Sequence, residues 1–265
     1  MHENKTGTIM KELKVFFKYE IAVVLLLLLV WSGNAAAQTA LPSKAILKQC
    51  DHARGNISGV TWDLRVEAKE GKKVRHQHLK VRSRSYDAIA ETLSPARRRG
   101  QMLILLNGNM WFYKPGLSKP IPVSKRQKLL GLANNGDIAS TNYAENYTIL
   151  HREVESLDKE PCFVFSLEAK TSRASYKFIR YWVSIKRLVG IKAEFYTARG
   201  SKLLKSARME YNNHIISSTG VSHPVISRMV INDELISFNT TVLNFSTPLL
   251  KPIPASAFNL NLLNK

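Results

Sequence analysis

His76 and His78 stand two residues apart in the run Val74 to Arg84. On a strand, that spacing puts both imidazoles on one face, where a pair could contribute to a metal site. Structural zinc takes four protein ligands and catalytic zinc three, and no third ligand accompanies the pair at an informative spacing. A solvated, basic strand face is the expectation, with no metal and no cofactor. His151-Arg152-Glu153 lacks the second histidine of a zinc-protease helix. Gly55-Asn56-Ile57-Ser58-Gly59 is not a nucleophile elbow, because its serine sits one place too late and follows no apolar strand. No glycine loop suited to cradling phosphate is present. Cys50 and Cys162 leave two alternatives open, one disulfide or two free, packed thiols. No residue is nominated as catalytic, and the chain reads as a binding protein rather than an enzyme.

The chemistry these residues do support is the burial of something apolar. Trp62, Leu64 and Val66 alternate with Asp63, Arg65 and Glu67, so they share one face of a strand. Trp111 and Tyr113 share a face of another. With Tyr181 and Phe195, these seven residues are the candidate lining of an apolar cavity. Any one of them taken alone reads as ordinary core, so the set carries the hypothesis. Arg97-Arg98-Arg99 could meet an anionic head group, or simply form a solvated turn.

Those residues need a sheet to position them. A helix is expected over Leu41 to Ala53, with Ile46, Cys50 and Ala53 on one face. Period-two alternation then predicts strands from Gly59 to Lys69 and from Val74 to Arg84, and a further strand over Tyr86 to Thr92. Asn107-Gly108 marks a hairpin between Gln101–Leu106 and Met110–Tyr113. Pro115, Pro120 and Pro122 interrupt regular pairing, and residues 124–146 read as short helix plus loop. The stretch from Pro115 through Tyr143 is the candidate lid, because long irregular segments often cover a site. Strands resume at Tyr147 and Cys162, then over Ser175–Lys186, Leu188–Thr197 and Lys202–Tyr211, and finally over Val225–Ile231 and Leu235–Phe245. Ten or eleven strands with short connections predict a mainly β fold, a large curved antiparallel sheet forming an incomplete barrel with a short helical lid or plug.

The first residues bound the compartment. Lys11, Lys14 and Lys18 precede the eleven apolar residues Ile21 to Trp31, and Ala35, Ala36 and Ala37 supply the small residues of a cleavage site. Eleven are too few to span a bilayer, which needs roughly 20. Residues 1–37 are therefore expected to be a secretory signal peptide cleaved after Ala37, with Met1 or Met10 as initiator and 38–265 as a single periplasmic domain. The chain carries 39 Lys and Arg against 20 Asp and Glu. The leader holds four Lys and three Glu, so 38–265 retain a net charge of +18. Export argues against nucleic acid as the partner; an anionic membrane surface or lipid fits the charge, and solubility alone would also account for it.

The segment Arg99-Gly100 … Asn107-Gly108-Asn109-Met110-Trp111-Phe112-Tyr113-Lys114-Pro115 … Pro120-Ile121 resembles the bacterial outer-membrane lipoprotein-sorting protein family, the LolA-like group. Leu129-Leu130-Gly131, Asn135 to Tyr143, Lys192-Ala193-Glu194-Phe195-Tyr196 … Gly200 and the ending Pro254 … Phe258 … Leu263 follow the same family's order. Cys50 departs from it, standing where a small residue is expected. The resemblance implies an incomplete barrel whose apolar interior takes acyl chains. A lipid or an acylated lipoprotein is then the cargo, with hopanoid-like molecules still open, and an envelope transporter or membrane protein is a further partner. The alternative function is a periplasmic sensor or adaptor using the same fold to bind an envelope protein.

Overall fold

The structure, a computed structural model, describes residues 41–138, 141–217 and 219–262. The expected signal peptide, its cleavage after Ala37 and the boundary between 1–37 and 38–265 lie outside the described residues. An amphipathic helix, α1 (Ser43–Ala53), opens the described chain and buries Ile46, Leu47, Cys50, Asp51 and Ala53. Among the described residues, no helix is long and apolar enough to cross a membrane.

Long strands follow. β1 (Ile57–Glu70), β2 (Lys73–Ser85) and β3 (Asp87–Ser94) form a meander, continued by β4 (Met102–Leu106), β5 (Asn109–Tyr113) and β6 (Ile121–Val123). A small hairpin, β7 (Lys128–Leu130) with β8 (Ala133–Asn134), leads through a 3₁₀ turn at Asn135–Asp137 to α2 (Tyr143–Asn146). The second half holds β9 (Tyr147–Leu157), β10 (Glu160–Ala169), β11 (Phe178–Ser184), β12 (Gly190–Tyr196) and β13 (Leu203–Glu210). A side hairpin, β14 (Asn213–Ile216) with β15 (Ser222–Val225), precedes β16 (Arg228–Asp233), β17 (Thr240–Phe245) and β18 (Leu249–Leu250).

One antiparallel sheet of 14 strands runs β6-β5-β4-β3-β2-β1-β17-β16-β13-β12-β11-β10-β9, with β18 paired to β1. It stays open, since β6 and β9 are its edges. The fold is mainly β and antiparallel, as the alternation predicted. Four readings moved: Pro122 lies within β6, paired with Trp111 on an edge strand where its missing N–H is tolerated; residues 124–146 hold the β7–β8 hairpin as well as α2; and two later strands changed their bounds. Residues 234–239 are not strand, because Asp233 Oδ1 accepts the amides of Leu235 and Ile236 and turns the chain away. The expected strand Val225–Ile231 is broken between β15 and β16, where Ile226 N bonds to Ala53 O.

Register fixes which side chains share a face, because residues paired across strands point the same way. In one direction the row runs Trp62, Val81, Ala90, Leu103 and Phe112. In the other it runs Ala68, Thr241, Ile231, Ala207, Ala193, Tyr181 and Phe165. This is the inner face, and the β7–β8 hairpin lies on it. The outer face carries Ile89, Ile104 and Trp111 across β3, β4 and β5. It is covered there by the last residues, with Phe258 buried against Ile89 and Ile104.

Candidate functional site

Five of the seven candidate lining residues lie on the inner face and two do not. Leu64 and Val66 are fully buried on β1, as are Tyr181 on β11 and Phe195 on β12. Trp62 is buried too, pressed against Gly55, whose φ of +97° and missing Cβ let the chain pass under the indole ring. Tyr181 meets Tyr143 edge to face at 5.3 Å, and its hydroxyl sits beneath Gly190, where a Cβ would collide with it. Phe195 is stacked on Tyr176 at 3.9 Å. Trp111 and Tyr113 are half-buried on the opposite face, among the residues packed around Phe258. Alternation along β5 pairs them correctly with each other, but the register through β4, β3 and β2 sets them against the other side of the sheet from Trp62.

Open space on the inner face lies to either side of the β7–β8 hairpin. One cleft, of about 430 Å³, is lined by Arg126, Lys128, Leu132, Tyr176, Leu204 and Lys205, among others. The other, of about 380 Å³, has Leu103, Phe112 and Val123 in its wall and Gln127, Leu129 and Arg98 among its further lining. Arg126, Leu132 and Asn134 face the first cleft, Gln127 and Leu129 the second, and Lys128 borders both. The seven candidate residues do not themselves line these clefts, although Phe112, which stands between Trp111 and Tyr113 in sequence, lines the second. Gln77 also lines it, donating from Nε2 to Thr92 Oγ1 at 3.2 Å, while its Oε1 is buried with no hydrogen-bond partner among the described residues.

The hairpin is tied down mostly by polar contacts. Leu132 N donates to Thr241 Oγ1 at 2.8 Å, and Lys205 Nζ donates to Leu132 O. Lys128 pairs with Glu70 at 2.6 Å. Gly131 sits so close to Ala68 and Thr241 that a side chain there would lift the hairpin from the sheet. Leu130 and Ala133 supply its buried apolar contact.

Beyond the hairpin, two buried carboxylates hold the rest of the cover. Asp137 accepts the Tyr176 hydroxyl at 2.7 Å and the Asn134 amide at 2.8 Å, with Lys205 Nζ 3.7 Å away. Burial pulls the Lys205 ammonium below its usual range, against the raising effect of Asp137. Asp51 accepts from Thr141 Oγ1 at 2.7 Å and from the amides of Tyr143 and Ala144 at 2.8 and 2.9 Å, so α1 caps the start of α2. Burial pushes Asp51 up to about 6 although those hydrogen bonds and Arg54 oppose it. The sequence reading missed both carboxylates. The available signal was Asp51 and Arg54 falling four residues after Leu47 and Cys50, on the apolar stripe of α1, where an unpaired charge would be costly.

The other candidate chemistry is blunt. Cys50 and Cys162 are free thiols, and burial pushes both upward, away from thiolate. His76 and His78 face Glu67 and Asp63 at 3.6 and 3.4 Å. Among the described residues, no group of three His, Cys, Asp or Glu side chains could hold a metal ion.

Residues 85–265 match the model of a family described as an uncharacterized protein. No curated protein matches the chain. A LolA superfamily protein from Nitrosomonas europaea superposes with a TM-score of 0.73 at 27% identity, covering 83% of this chain and 98% of that one. An outer-membrane lipoprotein-sorting protein domain from Vibrio parahaemolyticus gives 0.70 at 16% identity, over 84% and 98% of the two chains. A DUF1329 family protein from Desulfovibrio piger gives 0.66 at 18%, over 84% and 99%. The chain therefore belongs to the uncharacterized family matched over 85–265, and its fold is that of the LolA-like, outer-membrane lipoprotein-sorting proteins.

Proposed function

We propose that this chain is an exported, periplasmic carrier that shelters the acyl chains of a lipid or an acylated lipoprotein in a groove beneath the β7–β8 hairpin. The observation that carries the reading is the hairpin's place between two clefts on one apolar face. Lifting it would join them. The polar ties contribute roughly 1 kcal/mol each and the buried Leu130 side chain about 2, so a few kcal/mol hold the hairpin down. An acyl chain contributes roughly 0.8 kcal/mol per buried methylene, so about six to eight methylenes match that hold. The cover is thus strong enough to close the empty protein and weak enough to yield to cargo. The fully buried residues Trp62, Leu64, Val66, Tyr181 and Phe195 form the floor against which the hairpin and α1 close, and the groove walls come from Phe112, Leu103, Leu132 and Leu204.

The resemblance to a lipoprotein-sorting domain supports the cargo class, and the leader pattern in 1–37 supports the compartment. Native mass spectrometry of gently purified 38–265 tests the reading: adducts with the masses of phospholipid or acylated peptide are expected. A protein that carries no lipid and takes up none from mixed vesicles would overturn it and move the adaptor reading ahead.

A further inference from the structure

The two ends of the sheet differ sharply in charge. Strand order places six connections at one end: 71–72, 95–101, 114–120, 170–177, 197–202 and 234–239. They contain Lys72, three arginines at 97–99, two lysines in 114–120, three basic residues in 170–177 and two in 197–202, eleven in all, against Glu234 alone. The strand-to-strand connections that begin at the opposite end, among the described residues, hold Lys125, Arg126, Lys159, Lys186 and Arg187 against Asp158, five basic residues to eleven. Both clefts open toward the basic end, since Arg98 and Gln101 line one and Thr197, Ala198 and Leu235 line the other.

In the midst of this charge, the connection 234–239 displays Leu235, Ile236 and Phe238, which are 53%, 43% and 61% exposed. This tip is built rather than loose. Asp233 caps it from inside, Glu234 N bonds to Leu204 O at 3.1 Å, and Asn239 Oδ1 accepts the Gly71 amide at 3.1 Å. Val74, 51% exposed, lies just past the neighbouring turn. The acidic groups nearby are engaged: Glu70 with Arg75 and Lys128, and Glu234 with Ser206. Three large apolar side chains held in water by a rigid turn, with cationic loops on both sides, match the layered chemistry of a bilayer surface. Apolar groups suit the acyl boundary and Lys and Arg the anionic head groups.

We infer that the 234–239 tip and the basic connections around it dock this protein on an anionic phospholipid bilayer, with both clefts facing the membrane. The surface borders the groove through Leu235 and Arg98, while Ile236 and Phe238 lie outside both clefts, and vesicle binding is read without acyl uptake, so docking and cargo binding fail separately. Charge complementarity selects the occupant, because a neutral apolar partner would gain nothing from eleven cations. The geometry also gives docking a use: an acyl chain entering either cleft leaves the bilayer without crossing open water.

Vesicle co-sedimentation tests this with residues 38–265 and two vesicle types, pure phosphatidylcholine and phosphatidylcholine with a third phosphatidylglycerol. The parent should bind the anionic vesicles at least tenfold better, and 0.5 M salt should remove most of that preference. The exposed triple variant L235S/I236S/F238S should lose at least tenfold in binding with unchanged circular dichroism. A control at the opposite end, I216S/V221S, should bind like the parent. A Phe238→Trp variant should show a blue-shifted emission, quenched by brominated acyl chains, on anionic vesicles only. Equal binding to both vesicle types, or equal loss in the triple variant and the control, would overturn the inference. So would indole emission from the Phe238→Trp variant that stays solvent-like on bound vesicles, which would leave head-group charge as the whole interaction.

Discussion

Trp62 and Trp111 sit on opposite faces of the same sheet and have opposite fates. Trp62 is 3% exposed, locked between Gly55 and Phe245, whose ring it meets edge to face at 6.1 Å. Trp111 is half-buried and shares its cover with Ile253 and Phe258 near the end of the chain. The inner face is closed by α1, the β7–β8 hairpin and the segment around Tyr176, each fastened by buried polar groups. The outer patch is closed by one terminal segment. The difference teaches where binding capacity can reside. The middle of the inner face is largely committed to stability: among the described residues, the two larger clefts there flank the hairpin, and the space beside Asp137 and Tyr143 is only about 30 Å³.

The largest test of this contrast is Leu64→Ala. Leu64 is fully buried in the inner row, so the substitution should cost about 3 kcal/mol in urea unfolding. A loss under about 1 kcal/mol would mean that the inner face is already loosely packed. Next in size is Gly131→Val, which forces a branched side chain into φ +55° and against Ala68 and Thr241. It should destabilise by about 2 kcal/mol and speed uptake of a fluorescent fatty acid, since the hairpin no longer seats. Slower uptake would show that the hairpin is part of the wall and not its cover.

Asp51 gives a pH signature that is spread over the range between its two titrations and reaches full size only near neutral pH. Its carboxyl titrates at about 6 in the folded chain and near 4 when unfolded, so between those values only the folded chain keeps the proton. Stability from this group is therefore greatest below about pH 4 and falls as pH rises through 6, by up to about 3 kcal/mol. Asp51→Asn lacks that slope. Parent stability relative to the variant should drop between pH 4 and 7, and a difference that stays flat would remove the buried, proton-linked cap from the account. Smallest is Trp111→Ala, at about 1–2 kcal/mol, with probe binding unchanged because the residue faces away from both clefts.

The sheet was largely legible in the sequence, and the site only in part. Trp62, Leu64 and Val66 announced a buried face through their alternation with Asp63, Arg65 and Glu67, and α1 announced its stripe. What alternation cannot supply is the relation between faces of distant strands. That depends on register across β2, β3 and β4, and so Trp111 and Tyr113 were grouped with residues that lie on the far side. The stretch from Pro115 through Tyr143 read as one irregular segment; its edge strand β6 and its β7–β8 hairpin were not legible, since two- and three-residue strands carry too few positions to show a period. The 234–239 tip read as strand because Leu235, Ile236 and Phe238 are good strand formers. Asp233, which accepts two of the tip's amides, overrides that preference.

The central claim is that acyl chains bind beside the β7–β8 hairpin and not in the sealed middle of the sheet. Displacement of a fluorescent fatty acid, read on folded variants only, tests it most directly with Phe112→Glu. Phe112 is half-buried in the wall of the second cleft, so its replacement should leave circular dichroism intact. A charge beside an acyl chain costs several kcal/mol, so the probe should bind at least tenfold more weakly, while Trp111→Ala binds as the parent does. Parent-like binding by folded Phe112→Glu, together with weakened binding in Trp111→Ala, would contradict the account and move the site to the outer face.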